Sequence, residues 1–275
     1  MEIKYKDGES VTLDYDASNH TYKAGDGNAR IKVPSVTKIV GKVTPKNGLV
    51  EWAAIEGANF FRASLEPHRL APTEESGTFM LPARIVDHIA EGIKTAHKVI
   101  SEEAKQTGHI VHDWCERAIL WKLGQGEQPE IITEPSDVAN SINAFREWVK
   151  ETKIEWVSTE EKVYNREHKY AGTVDAVGRI GGNLCVMDFK TSNAIRKEYY
   201  LQVSAYAKAI EDIYGEPVDV CYILRFDKKS GEFQEKAVDP NAHWNAFLAA
   251  IELYHWHGIR VMNYKFSPEL RGPDT

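Results

Sequence analysis

The sequence predicts a mixed α/β domain with helices packed on a central sheet, and three observations carry that prediction. Residues 1 to 33 read as short strands joined by tight turns, while residues 35 to 152 are mainly helical in their apolar spacing. From Trp156 onwards the spacing becomes that of strands, and strands then alternate with helices. No Pro- or Ser-rich linker and no fixed-period repeat divides the 275 residues. The chain therefore reads as one domain: an N-terminal β region (1–34), a helical part (35–152), an α/β core (153–263) and a tail (264–275).

Each element has a local reason. KYKDGESVTLDY turns at Asp7-Gly8, and HTYKAGDGNARIKV turns near Asp26-Gly27. PSVTKIVGKV follows, then NGLVEWAAIEGANFFRASL, an apolar helical pattern for which Asn47 or Gly48 is a plausible start. Residues 66 to 84, rich in Pro, Gly, Thr and Glu, read as a loop. Two helices are predicted next, about 85 to 105 and about 107 to 123, the second stopping at Gly124. PSDVANSINAFREWVKET gives another helix, capped by Ser136, with Val138, Ile142, Phe145 and Val149 on one face. WVSTEEKVYN, YAGTVDAVGRI and NLCVMDFKT are three strands in quick succession. A helix over EYYLQVSAYAKAIEDIYG ends at Gly215, strands VDVCYILRF and GEFQEKAVD flank the turn DKKSG, and a last helix covers about 240 to 258.

Composition excludes several classes. No apolar run approaches the ~18 residues of a membrane span, and the charged start MEIKYKDGES lacks the apolar stretch of an export signal. Cys115, Cys185 and Cys221 are odd in number and far apart, which excludes a disulfide framework and a CxxC zinc or iron–sulfur pattern. A reduced, soluble, cytoplasmic protein is expected. With 34 basic and 41 acidic side chains the net charge is −7. Proteins that coat nucleic acid non-specifically are usually basic, so any such contact here must come from a local patch.

The most informative stretch is GTVDAVGRIGGNLCVMDFKTS. Gly181-Gly182 between two β-prone runs signals a two-residue hairpin. Counting outward from that turn sets Asp175 directly opposite Asp188, with Cβ atoms ~5 Å apart on one face, and alternation puts Lys190 on the same face. Facing carboxylates repel, and a divalent cation held by oxygen ligands relieves the repulsion. An ammonium group beside them can offset charge growing on a phosphoryl oxygen. The plainer reading is a solvated charged face. The continuous apolar run Leu184 to Met187, typical of a strand buried on both faces, argues against it.

The other candidates are weaker alone. His112 has Glu116 at i+4 and His109 at i−3 on its helix, and spacing by itself reads it as a half-buried histidine. Gln202 and Tyr206, also i and i+4, read equally as polar tips aimed at a substrate or as an internal hydrogen bond. Pro34-Ser35-Val36-Thr37 reads first as a helix cap and second as a hydroxyl cluster for phosphate.

In chain order these pieces resemble the PD-(D/E)XK nuclease superfamily, and more narrowly its RecB-type exonuclease branch, which includes phage exonucleases and the mitochondrial genome maintenance exonuclease. The matching pieces are PSVT at 34–37, Gly108 through His112 to Glu116, Glu160 ahead of Tyr170-x-Gly172-Thr173-Val174-Asp175, then Asp188-Phe189-Lys190-Thr191-Ser192, and Gln202-x-x-x-Tyr206. The resemblance implies a restriction-endonuclease-like core. It also implies Mg²⁺ or Mn²⁺ bound by His112, Asp175, Asp188 and the main-chain carbonyl of Phe189. Asp175, Asp188 and Lys190 would be catalytic, with Glu116 and Glu160 in support. Ser35, Thr37, Thr191, Ser192, Gln202 and Tyr206 would contact DNA. Two departures are visible: Val174 replaces the Pro of the superfamily name, and the four cysteines of its iron–sulfur members are absent.

The expected activity is a metal-dependent exodeoxyribonuclease acting on DNA with a free end, in recombination, repair or replication, in a bacterial cell or phage-infected host. A structure-specific endonuclease with the same site is the alternative. A catalytically silent DNA-binding or assembly subunit is disfavoured because both Asp residues and the Lys are present. A glycosidase-type carboxylate pair would need neither Lys190 nor His112. Because the chain is acidic overall, Lys42, Lys46, Arg62, Arg196 and Lys197 are expected to supply a confined basic passage, roofed by the helices between 47 and 105.

Overall fold

The computed structural model describes residues 1–19, 21–26, 29–44, 48–66, 81–132, 136–227 and 232–258. Fifteen elements follow one another: β1 (Glu2–Lys4), β2 (Ser10–Asp16), β3 (Thr21–Gly25), β4 (Ile31–Val33), α1 (Val36–Val43), α2 (Leu49–Leu65), α3 (Ala83–Lys122), α4 (Asp137–Thr152), β5 (Glu155–Asn165), β6 (Tyr170–Ile180), β7 (Asn183–Thr191), α5 (Lys197–Tyr214), β8 (Val220–Phe226), β9 (Phe233–Val238) and α6 (Trp244–Gly258). Asn47 and Lys46, residues 67–80 of the expected loop, residues 228–231 of the DKKSG turn, and the tail lie outside the described residues.

Strands β1 to β4 form an antiparallel meander in sequence order, and β5 to β9 form a second sheet, also in sequence order. The second sheet is mixed: β7 and β8 run parallel and the other neighbours antiparallel. A parallel neighbour needs a crossover, and α5 supplies it. One face of the sheet packs with α1, α5, α6 and the N-terminal meander, through Val174, Val186, Val203, Ile210 and Phe247 among others. The opposite face packs against α3 and α4, through Met187, Phe189, Cys115, Ile119 and Phe145. This mixed α/β arrangement, a central sheet flanked by helices with a small β region ahead of it, is consistent with the restriction-endonuclease-like fold class.

Two expectations are corrected. The pair of helices over 85–105 and 107–123 is one continuous 40-residue helix. Gly108 lies within it, where a Cβ would fall 2.5 Å from Thr191 Oγ1, so the missing side chain lets α3 close on the end of β7. The last helix starts at Trp244 rather than near 240. Ser35 caps α1, its Oγ accepting from the Lys38 N–H at 3.2 Å, and Ser136 caps α4 in the same way at 3.1 Å.

Candidate active site

The site begins with the turn between β6 and β7. Gly181 and Gly182 have φ of 59° and 88°, the left-handed pair that a two-residue hairpin of this twist requires. The ladder then runs from Ile180–Asn183 to Ala176–Met187, the register counted from the sequence. The next residues of the two strands beyond that last pair are Asp175 and Asp188. There the ladder opens, and the Phe189 N–H donates to Asp175 Oδ2 at 2.6 Å.

Asp188 is fully buried, with side chains of Asp175 and Lys190 only 15% and 17% exposed. Burial pushes the Asp188 carboxyl up to about 6, and Asp175 adds to that rise while the Lys190 ammonium opposes it. Asp175 is likewise raised by burial, with Lys190 and the Phe189 N–H pulling the other way. Burial works against the Lys190 ammonium, but Asp188 and Asp175 outweigh it and hold its pKa above the ordinary lysine value. Lys190 Nζ lies 2.5 Å from Asp188 Oδ2. That ammonium is the partner of Asp188 Oδ2, as Gln202 is of Oδ1.

Helices bring the remaining groups. From α5, Gln202 Nε2 donates to Asp188 Oδ1 at 3.0 Å and to the Tyr206 hydroxyl at 3.1 Å, so Gln202 fixes the carboxylate from behind. Tyr206 is itself buried. Tyr199, three residues before Gln202, holds its ring 5.2 Å from Lys190 Nζ. From α3, His112 presents Nδ1 3.9 Å from Asp175 Oδ2. Packing by the sheet, then the nearby Lys190, lowers its pKa to about 4, although the ring edge still reaches solvent. At neutral pH this imidazole is uncharged and has a lone pair to give.

Glu160 has a left-handed backbone, φ 49°. Its place in the β5–β6 ladder is opposite Asp175, between the pairs Thr159–Ala176 and Glu161–Val174. Burial, then Asp175 and Glu116, push its pKa up to about 7. Glu116, one turn after His112, is raised by burial and Asp113. The two carboxylates therefore extend the acidic cluster along the side of α3.

Among the described residues no three His, Cys, Asp or Glu side chains are gathered as a ready metal cage. The donor set nevertheless suits a hard divalent ion. Two atoms bound to one octahedral ion at about 2.1 Å stand about 3.0 Å apart when cis and about 4.2 Å when trans, and the 3.9 Å between His112 Nδ1 and Asp175 Oδ2 brings both within a small side-chain shift of one ion. Two buried carboxyls that share one lysine are the second point in its favour.

Other residues expected at the site have local partners. Ser35 Oγ lies 3.1 Å from Thr37 Oγ1 and caps α1. That helix start is tied to β6 by the Ala171 N–H donating to the Pro34 carbonyl at 3.0 Å. Thr191 packs on Gly108, and Ser192 Oγ donates to the Ala194 carbonyl at 3.0 Å. Among the described residues no hydrogen bond joins Ser35 or Thr37 to the carboxylates. Sequence reasoning missed Arg225, which is 4% exposed. Its Nη1 donates to the Ser192 carbonyl at 3.0 Å and to Asp227 Oδ2 at 2.9 Å, pinning the segment after Lys190. The signal was its register opposite Lys190, visible only once β7 and β8 are known to be parallel neighbours. Tyr199 was missed although its i−3 spacing from Gln202 was legible.

No family model matches the chain, and no curated protein matches it. Among solved structures it is similar to SSO0001, with 16% identity and a TM-score of 0.34 over 75% of this chain and 88% of that one. It is also similar to an alkaline exonuclease of Laribacter hongkongensis, with 10% identity and a TM-score of 0.32 over 53% of this chain and 77% of that one. The complex of that exonuclease with dAMP gives 13% identity and a TM-score of 0.31 over 55% and 82%. At these scores the assignment of the site rests on its own geometry.

Proposed function

We propose that the chain is a metal-dependent deoxyribonuclease that hydrolyses DNA phosphodiester bonds from a strand end. The observation that carries this reading is the buried Asp175–Asp188 pair with Lys190 beside it at the open end of one hairpin. A structural ion pair would need one carboxylate, and burying a second against it costs stability unless the pair has a ligand to share.

His112, Asp175, Asp188 and the Phe189 carbonyl would hold Mg²⁺ or Mn²⁺. Such an ion would supply Lewis-acid polarisation of a phosphoryl oxygen and would make a water bound to it more acidic than bulk water. The chain's own groups have separate tasks. The Phe189 N–H and Gln202 fix the rotamers of Asp175 and Asp188. Hydrolysis joins a water oxygen to phosphorus and breaks the bond to the leaving oxygen, and negative charge grows on the non-bridging oxygens. Lys190, anchored by the carboxylates, places a positive charge where that growth can be offset. His112, uncharged at neutral pH, adds no competing positive charge.

End dependence separates an exonuclease from an endonuclease with the same site. Labelled single-stranded DNA in linear and covalently closed circular form should be incubated with Mg²⁺, Mn²⁺ or EDTA. Degradation of the linear form alone, abolished by EDTA, is the expected result. Comparable cutting of the circle would replace the exonuclease reading with an endonuclease, and no cutting of either, or of matched duplexes, would reject the nuclease reading.

A further inference from the structure

Helices α2 and α3 lie antiparallel: Trp52 meets His97, and the Phe60 ring covers Gly92. At the end of this pair nearer His112 the two helices enclose a groove of about 580 Å³. Trp52, His97, Lys98, Ser101 and Lys105 line it, together with Leu49, Val50, Ala53 and one carboxylate, Glu102. The Trp52 and His97 rings stand at 88° with centroids 6.2 Å apart. Val50 is 85% exposed, so the rim is apolar where a surface helix is usually polar.

The groove is aligned with the candidate active site by the helix itself. At 3.6 residues per turn, Lys98, Ser101, Lys105 and His112 fall within about 60° of arc on one side of α3. At 1.5 Å per residue Lys105 is about 10 Å from His112 along the axis, and Lys98 about 21 Å. These spans equal roughly three and six stacked-nucleotide rises. Aromatic faces between lysines are the means by which proteins hold unpaired bases without reading sequence. A groove of this volume suits a ligand of small-molecule size, which favours flat unpaired bases over a duplex. Lys98 makes no ion pair among the described residues. Lys105 pairs with Glu102 at 3.2 Å, but both side chains are more than 60% exposed, and such a pair gives way readily to a phosphate.

We infer that this groove is a binding site for single-stranded DNA, Trp52 and His97 stacking bases and Lys98 and Lys105 contacting phosphates about three to six nucleotides from the cleaved bond. The inference rests on the nuclease reading and adds to it a strand path and a preference for unpaired substrate.

The test is fluorescence anisotropy of the full chain with labelled oligothymidylates of about four and about twelve nucleotides, in EDTA so that nothing is cut. The longer probe spans the groove and should bind more tightly. Lys98→Ala/Lys105→Ala should lose most of that advantage and flatten the slope of log affinity against log salt by about 1.4, or 0.7 per phosphate contact. Trp52→Ala should weaken the longer probe about tenfold. Trp52 is half-buried, so the lysine pair, fully on the surface, carries the test if that variant does not fold. An unchanged affinity and salt slope in the lysine variant would overturn the groove and leave the apolar rim as a surface for a protein partner. An equal loss on blunt duplex would overturn the single-strand assignment. Failure of the wild-type chain to cut linear DNA with Mg²⁺ or Mn²⁺ would instead defeat the nuclease reading, so the two failures are distinct.

Discussion

Replacing Asp188 by Asn should stabilise the metal-free protein. Asp188 is fully buried, and its carboxyl rises from 3.8 to about 6, chiefly through burial and in spite of Lys190. Ionising it at neutral pH therefore costs the folded state about 3 kcal/mol relative to a solvated aspartate. Asparagine keeps an oxygen to accept from Gln202 Nε2, now at 3.0 Å from Asp188 Oδ1, and removes the repulsion with Asp175. Against this, Lys190 loses its 2.5 Å partner, although its side chain is 17% exposed and Asp175 remains. A net gain of about 1–2 kcal/mol is expected, or about 2–4 °C in Tm for a chain of this size.

The pH dependence fixes the cause. A carboxyl with a raised folded pKa binds its proton more tightly in the folded state. Its destabilising effect is therefore absent below the unfolded value of 3.8, grows as pH rises, and is complete above about 6. Thermal unfolding in EDTA should show the Asn variant more stable at pH 7.5 and equal to wild type near pH 4. Adding Mn²⁺ should raise the wild-type Tm, by the equivalent of about 2.7 kcal/mol at one hundred times Kd, and leave the variant nearly unmoved. An Asn variant that melts below wild type at pH 7.5 in EDTA would refute the reasoning. The carboxylate–lysine pair would then be a stabilising ion pair, and nothing at the site would await a cation.

Three further outcomes can be stated. Lys190→Ala should fold and bind DNA but lower kcat about 10²–10³-fold on linear DNA, since one electrostatic group acting on the transition state is removed; a wild-type rate would return Lys190 to a charged face. Gln202→Ala should weaken calorimetric Mn²⁺ binding about 10–100-fold, as expected for a residue that orients a ligand carboxylate. If KM for DNA rises while metal affinity holds, Gln202 contacts the strand instead. Gly172→Ala should lower stability by about 1–3 kcal/mol, because its Cβ would lie 2.6 Å from the Tyr206 ring in a packed core; an unchanged urea midpoint would show that the ring moves freely.

The hairpin was legible because a two-residue turn fixes register, and register fixes which side chains share a face. That was sufficient to set Asp175 against Asp188 with no knowledge of the rest of the chain. Helix α5 was legible from its apolar spacing and from Gly215, whose φ of 66° ends it. The unity of α3 was not, because Gly108 close to the expected gap costs about 1 kcal/mol inside a helix, and no local signal says that the helix runs through. What offsets that cost is the approach of Thr191, a residue more than eighty positions away. Arg225 was hidden for a similar reason. Its partners depend on β8 lying parallel to β7, and nothing in either strand says which neighbour the crossover will select. His112 lies between these cases: spacing put it on a face with Glu116, and only the packing of α3 on the sheet decided that the face meets Asp175.

The same packing gives a physical reason for two of the glycines that the resemblance rests on. Gly108 admits Thr191 from one side of the sheet, and Gly172 admits the Tyr206 ring from the other. Thr191 follows Lys190 directly, and the Tyr206 hydroxyl accepts from the Gln202 amide that also donates to Asp188. The open end of the hairpin is thus held from both sides, β7 against α3 at Gly108 and β6 against α5 at Gly172, at the two points where a Cβ would force the helices away. Burial of this kind raises the carboxylates, because it removes water from Asp188 and sets Asp175 beside it, and Lys190 offsets only part of that cost. A clamp that held only a stable fold would have no use for a repelling pair at its centre. Enlarging either glycine should therefore relax the carboxylates towards solvent and weaken cation binding, even though neither residue has a side chain to bind anything.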